Sequence, residues 1–114
     1  MKMQRALSVR QPHAENILRG IKRSESRSTR THIRERVYIY ASTKPADAKL
    51  FASLRCSPGD LPTGVLVGSV EIVGCTGSKG RYKWHLERPR RLLRRVKPTR
   101  QPQPVWFRPF LKAT

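Results

Sequence analysis

Gly20-Ile21-Lys22-Arg23-Ser24-Glu25-Ser26-Arg27 places a glycine ahead of a basic, an acidic and a basic residue at the spacing G-x-K-x-x-E-x-R. Working outward from it, Ala6-Leu7-Ser8-Val9-Arg10-Gln11-Pro12 reads as a strand end followed by a proline, which can open a helix because its missing N–H is an orphan there anyway. Ala14, Ile17, Leu18 and Ile21 then recur at one-face helical spacing, and Gly20 suits the left-handed residue that ends a helix. The order predicted is strand, short helix, glycine stop, polar strand.

A Lys, a Glu and an Arg at a strand start can form a cluster in which Lys22 and Arg27 neutralise Glu25 while keeping donors free for a nucleotide or phosphate. In a regular strand Arg23, Glu25 and Arg27 share one face and Lys22, Ser24 and Ser26 the other, so Lys22 reaches the site through the turn after Gly20. The plain alternative is that Glu25 and Arg27 form structural ion pairs while Arg10 ties the first strand to the next.

Ser8, Arg10, Gln11, Pro12, Gly20, Lys22, Glu25 and Arg27 together resemble the amino-terminal half of the activating-signal-cointegrator homology (ASCH) domain. Its members carry a strand ending in S-x-R-Q-P, a short helix and then G-x-K-x-x-E-x-R. The resemblance continues through Val37–Ser42 and Gly64–Ile72, similar to the family's core strands, and through Tyr82–Leu86 and Val105–Phe107, similar to its closing segment. It implies an α+β, mainly β fold: a small β-barrel of the pseudouridine-synthase-and-archaeosine-transglycosylase-like (PUA-like) type with two or three short helices. It also implies RNA-related work, although fold alone does not determine function.

Bulk properties point to the same partner. A chain of 114 residues with 37% hydrophobic content has room for one domain, taken here as 1–114, with one modest core. Twenty-five Lys or Arg against seven Asp or Glu give a formal charge of +18, which attracts polyanions before any specific contact forms. Arg outnumbers Lys seventeen to eight, and its planar fork suits phosphates and base edges. RNA is the first expected partner and DNA the second, with a nucleotide or modified nucleoside as a smaller ligand of the same pocket. An anionic membrane surface ranks behind nucleic acid, and no membrane partner is expected.

The charge is uneven. Residues 1–40 carry ten basic and three acidic groups (net +7), residues 41–80 four and three (net +1), and residues 81–114 eleven and one (net +10). If the two ends meet, their charges merge into one face. Arg30, Arg81, Lys83, Arg90, Arg91, Arg94 and Arg95 are the residues assigned to a nucleic-acid surface. As a helix, 88–97 puts Arg90, Arg91, Arg94 and Arg95 on one face; in the family-like reading it is an extended crossing before the last strand.

Cys56 and Cys75 are nineteen residues apart with no C-x-x-C and no Cys/His cluster, so they read as reduced thiols rather than a zinc site or a disulfide. The sequence implies no metal and no cofactor. No apolar run approaches the roughly 20 residues of a membrane span, and the first residues lack a signal-peptide apolar region, so a cytoplasmic or nucleoid-associated location is expected. Oligomeric state is left open.

Further along, Ser26–His32 reads as a strand end and a basic loop. In 36–41, Val37, Ile39 and Ala41 alternate with Arg36, Tyr38 and Tyr40, a half-buried strand whose tyrosines either stack bases or pack beneath a neighbouring segment. Ser42 or Thr43, Pro45 and Asp47 open a second helix with an apolar stripe of Ala46, Leu50, Phe51 and Leu54. Residues 57–64 form a breaker-rich loop leading to the apolar strand 65–73, where Gly68 marks a bulge or close approach. Glu71 on that strand is either ion-paired with an arginine or a general acid or base. Val105, Trp106, Phe107 and Phe110 make the proline-punctuated tail fold back, with Trp84 and Trp106 as core residues or the floor of a base pocket.

Arg10, Gln11, Lys22, Glu25 and Arg27, with Ser8, are thus the ligand-binding set, read as a nucleic-acid-binding pocket. The rival is a small metal-independent hydrolase, a ribonuclease or a modified-cytidine amidohydrolase, with Lys22 and Glu25 as catalytic residues. Small relatives in the ASCH family deacetylate 4-acetylcytidine, using the lysine after the glycine, a hydroxyl residue three positions on and a distant glutamate. Lys22 matches that lysine; the next position of the pattern is Glu25, Ser24 is one residue out of register, and Glu71 and Glu87 are the candidates for the distant glutamate. A protein-partner module within a larger complex is a third reading, left open by the exposed aromatics.

Overall fold

The computed structural model describes Met3 and residues 5–110. Six strands form one sheet in the order β2-β5-β4-β3-β1-β6: β1 (Ala6–Val9), β2 (Ser24–Arg27), β3 (Arg36–Ala41), β4 (Val65–Ser78), β5 (Arg81–Val96) and β6 (Trp106–Phe107). Only β1 and β3 run parallel; their crossover carries the helix α1 (His13–Leu18) and β2. The architecture is the expected mainly β one, a curled half-barrel with a few short helices.

Local chemistry sets the first turn of chain as the residues predicted. Pro12 caps α1, and Gly20, at φ +75, returns its N–H to Ile17 O while Ile21 N and Lys22 N both bond Asn16 O. The left-handed glycine satisfies the open carbonyls and turns the chain outward. Ala14 and Ile17 enter the core, whereas Ile21, past the stop, is exposed.

Alternation on β3 sorts two clusters. Val37, Ile39 and Ala41 join Leu7, Val9, Ile17, Val70, Ile72 and Trp84 under α1. Tyr40 packs on the opposite face with Ala6, Leu66 and Phe107. Tyr40 meets Phe107 edge-on at 5.1 Å and Tyr38 meets Phe110 at 5.8 Å, so both tyrosine rings pack beneath the returning tail rather than standing open as base platforms.

The longest element is a hairpin of β4 and β5 that turns at Lys79-Gly80, both at positive φ as a two-residue primed turn requires. The pairing shifts register after Leu66, Ser69 and Ile72, and each shift adds bend. At Gly68 both expectations hold together, since a Cβ would lie 2.5 Å from the backbone oxygen of Arg90 and collide with Leu18. The basic run 88–97 is strand, not helix. Its arginines therefore alternate between faces instead of sharing one.

Curling brings β5 and β6, second and last in the sheet, face to face: Trp84 stacks on Trp106 with ring centroids 5.5 Å apart and planes 9° from parallel. Trp84 is buried and donates Nε1–H to Thr29 O at 2.9 Å. The second helix is shorter and later than predicted. Asp47 caps a 3-10 helix, Ala48–Leu54, by accepting from Lys49 N, while Ala46 N is drawn to Gln11 O. Of its stripe only Phe51 is fully buried.

Glu71 is ion-paired: Arg88 Nε donates to it at 2.8 Å and Arg36 Nη2 lies 3.5 Å away. Those bonds, Arg88's above all, hold its carboxyl below the usual range. Cys56 and Cys75 are free.

A candidate nucleotide cleft at the open seam

Where the curled sheet fails to close, β2 stands opposite β1 and β6, and the gap holds a cleft of about 510 Å3. Ser8 and Arg10 line it from the β1 side and Glu25, Ser26 and Arg27 from β2; His13, Tyr40 and Lys44 also contribute. Residues 102–105 form its outer wall, tied down by Ser8, whose N–H donates to Val105 O at 2.9 Å and whose Oγ donates to Gln103 O at 2.6 Å.

Glu25 is the chemical centre. It is 7% exposed and is the only acid among the described residues that line the cleft. Lys22 Nζ lies 2.8 Å from Oε1, and Arg27 Nη2 donates to Oε2 at 2.7 Å. The same Nη2 donates to Ser8 O at 2.8 Å, and the guanidinium carbon sits 5.6 Å from the Trp84 ring. Packing against the indole face fixes the plane of the fork. Because Lys22 arrives from the turn after Gly20, it meets Glu25 from outside the strand, as the spacing required.

His13 adds a residue that sequence reasoning left unassigned. Its Nδ1 is 3.3 Å from Lys22 Nζ. Burial first, then the neighbouring Lys22 charge, push the imidazole pKa below its ordinary value despite Glu25 nearby. The ring is therefore neutral at pH 7, and Nδ1 accepts from the ammonium. The only local signal was that His13 begins the helix after Gln11-Pro12.

Ser8, Arg10, Glu25 and Arg27 thus line one cleft, whereas Lys22 reaches it through its ion pair with Glu25 and itself lines a neighbouring depression with Gly20, Arg23 and His85. Gln11 lines neither: it is buried, its Oε1 accepts from Glu15 N at 3.0 Å, and its Nε2 donates to Pro62 O at 3.0 Å. It fastens α1 to the 57–64 loop. Neither Glu71 nor Glu87 lines the cleft.

Of the basic residues, Arg30 lies over the Tyr82 ring at 5.6 Å, and Arg81 and Lys83 are exposed on β5, Lys83 opposite Ser26. Arg90, Arg94 and Arg95 are exposed further along. Arg91 differs, since its two Nη atoms donate to the Glu15 carboxylate at 2.9 Å each. That fork anchors α1 to β5 and neutralises the arginine's charge. Lys44 and the 102–105 wall were not foreseen, because nothing in their own sequence shows that they meet β1 and β2.

Among the described residues no group of three or more His, Cys, Asp or Glu is placed to hold a metal ion, and no helix is long and apolar enough to cross a membrane.

The ASCH domain model matches residues 7–100. Activating signal cointegrator 1 of Homo sapiens is 36% identical over a region covering 64% of this chain and 14% of that protein. The Mus musculus protein of the same name is 34% identical with the same coverage. The chain therefore spans about a seventh of the length of these curated relatives.

Proposed function

The chain belongs to the ASCH domain family, and from that premise we propose that it is a domain binding single-stranded RNA, with one unpaired nucleotide seated in the cleft between β1 and β2. The observation that carries this reading is the buried Glu25 carboxylate, held by Lys22 and Arg27 and facing a cleft in which Arg10, Arg27 and Lys44 stand against an apolar wall of Tyr40, Pro102, Pro104 and Val105.

A carboxylate offers about four acceptor sites and two are taken by Lys22 and Arg27. The others suit the exocyclic amino group of a base, the pairing by which carboxylates read cytosine. Arg27, which lines the cleft, retains N–H groups for a base carbonyl, while Lys22 holds the carboxylate in place. Such an edge is free only in an unstacked, single-stranded nucleotide, and a recess of this size takes one unit. Ser26, Ser42 and Gln103 set hydroxyl and amide groups around it that match a ribose 2′-hydroxyl. Arg30, Arg81, Lys83, Arg90, Arg94 and Arg95 add attraction for the phosphates on either side.

Fluorescence-anisotropy titration of single- and double-stranded RNA and DNA across a salt series tests the reading. Single-stranded RNA should bind best, keep its preference at moderate salt and weaken at least tenfold in Lys22→Ala, with circular dichroism verifying that the variant is still folded at the titration temperature. Equal affinity for every oligomer, abolished by salt and indifferent to Lys22, would reduce the binding to nonspecific charge.

One contact favours a second reading, hydrolysis at the same cleft. The neutral His13 imidazole, one hydrogen bond from the Lys22 ammonium, pairs a base with a cation able to steady a developing oxyanion. Incubating the same oligomers and modified cytidines with the protein distinguishes the two: turnover must collapse in both Lys22→Ala and His13→Gln, whereas a binding domain leaves the substrates intact.

A further inference from the structure

The seam cleft does not end at its wall. A second cleft of about 540 Å3 continues past Tyr40 and Pro102, which line both. Lys97, Arg100, Thr43 and Thr99 surround it, and no acidic residue among those described does. Among the described residues the two clefts together are lined by Arg10, Arg27, Lys44, Lys97 and Arg100 against one carboxylate, Glu25, which is already neutralised.

The bank carrying Lys97 and Arg100 is held in place at both ends. Thr99 N and Arg100 N donate to Pro109 O at 2.9 and 3.1 Å, and Thr99 Oγ1 donates to the same oxygen at 3.3 Å. At the other end Ser8 grips Gln103 O and Val105 O. The cations are thus presented by an ordered backbone, and no described carboxylate pairs with Arg10, Lys44, Lys97 or Arg100. Four exposed cations along one groove, without carboxylates to neutralise them, need an anion that repeats. Tyr40, which burial keeps protonated well beyond neutral pH, stands at the junction with Pro102 as an uncharged divider.

Resting on the nucleotide reading above, we infer that the groove takes at least two linked nucleotides: one base sits beside Glu25, and the phosphodiester strand continues past Tyr40 onto Lys97 and Arg100. The ligand class is then an oligonucleotide rather than a free nucleoside or mononucleotide. Arg10, just after β1, and Lys44, just after β3, flank the linking phosphate, and Lys97 and Arg100 receive the next one.

Isothermal titration of cytidine monophosphate and of a cytidine tetranucleotide, in ribo and deoxyribo forms, tests this with the intact chain. The tetranucleotide should bind at least tenfold more tightly than the mononucleotide. In Lys97→Ala/Arg100→Ala that advantage should vanish and the slope of log K against log salt should flatten by roughly 1.4, the value for two single-strand phosphate contacts, while mononucleotide affinity stays the same. Both side chains are exposed, so the double variant retains the fold, which circular dichroism verifies. An undiminished tetranucleotide advantage in the double variant overturns the inference and leaves the seam cleft standing as a mononucleotide site. Absence of binding by either ligand, in wild type as in Lys22→Ala, overturns the nucleotide reading itself. Comparison of the two sugars identifies which strand uses the groove.

Discussion

Arg27 on β2 donates to the backbone carbonyl of Ser8 on β1 across 2.8 Å, although the two strands are not neighbours in the sheet. Among the described strands β2 pairs only with β5, so this bond, together with the Trp84–Trp106 stack, ties the two margins of the curled sheet together beside the cleft. The residue that neutralises Glu25 is therefore also a clamp on the fold.

Arg27→Ala should destabilise the protein by about 3 kcal/mol, the low end for breaking a buried ion pair, because Glu25 is left with Lys22 alone and the seam loses its tie. Arg27→Lys keeps the charge but not the fork, and should recover about half. Urea denaturation measures both. A stable Arg27→Ala would mean that the ladder to β5 suffices to hold β2.

Gly68→Ala should cost about 2 kcal/mol or more through overpacking. Trimming Leu18 to alanine in the same chain should not rescue it, since the carbonyl of Arg90, 2.5 Å from the new Cβ, belongs to the paired strand and cannot turn aside. Thermal melting of the single and double variants is the check.

Glu15→Gln should cost about 2 kcal/mol, on the scale of hydrogen bonds to charged groups. The carboxylate takes two bonds from Arg91 and one from Arg19 at 2.7 Å, yet both arginines are exposed enough to return to water. The loss is therefore smaller than at Arg27. Freed from Glu15, Arg91 should raise affinity for polyanions at low salt, read in the same titrations that test RNA binding.

Stability should fall in two stages as pH drops. His13 has its folded pKa lowered from 6.5, by burial and then by Lys22, so the unfolded chain binds the proton first; its contribution is complete above that value and is lost as pH falls toward the folded pKa. Glu15 and Glu71 are also lowered from 4.5. For Glu15, burial alone would raise it, but the bonds from Arg91 and Arg19 outweigh that; for Glu71 the Arg88 bond leads. Their contributions are present above 4.5 and disappear below it. Melting temperature against pH should show both stages, and His13→Gln should remove the upper one alone.

Much of the site's first half was legible because it is local. The helix between Pro12 and Gly20, the polar strand after it and the meeting of Lys22, Glu25 and Arg27 all follow from spacing within twenty residues. The alternation of Val37 and Ile39 against Tyr38 and Tyr40 showed two faces, but which neighbour covered the tyrosines depended on Phe107 and Phe110, some seventy residues away.

The basic run 88–97 shows where local reading stops. Arginine and leucine at those positions satisfy a helical face or a strand about equally, and the strand wins because the partner β4 supplies hydrogen bonds along the hairpin. Gln11 matched the motif yet turned inward to serve Glu15 N and Pro62 O, since a buried amide goes where backbone groups need partners.

By itself, then, the sequence determined the strand–helix–strand order, the glycine stop, the clustered Lys, Glu and Arg and the basic surface, because each depends on dihedral preference, period or charge within a short stretch. Only the tertiary structure decided that His13 joins Lys22, that Arg91 is neutralised by Glu15 while Lys97 and Arg100 are not paired with any described carboxylate, and that the tail walls a cleft at the seam. Those outcomes depend on which distant groups the curling of the sheet brings within hydrogen-bond reach, and the strength of a charge is set by that company rather than by its place in the chain.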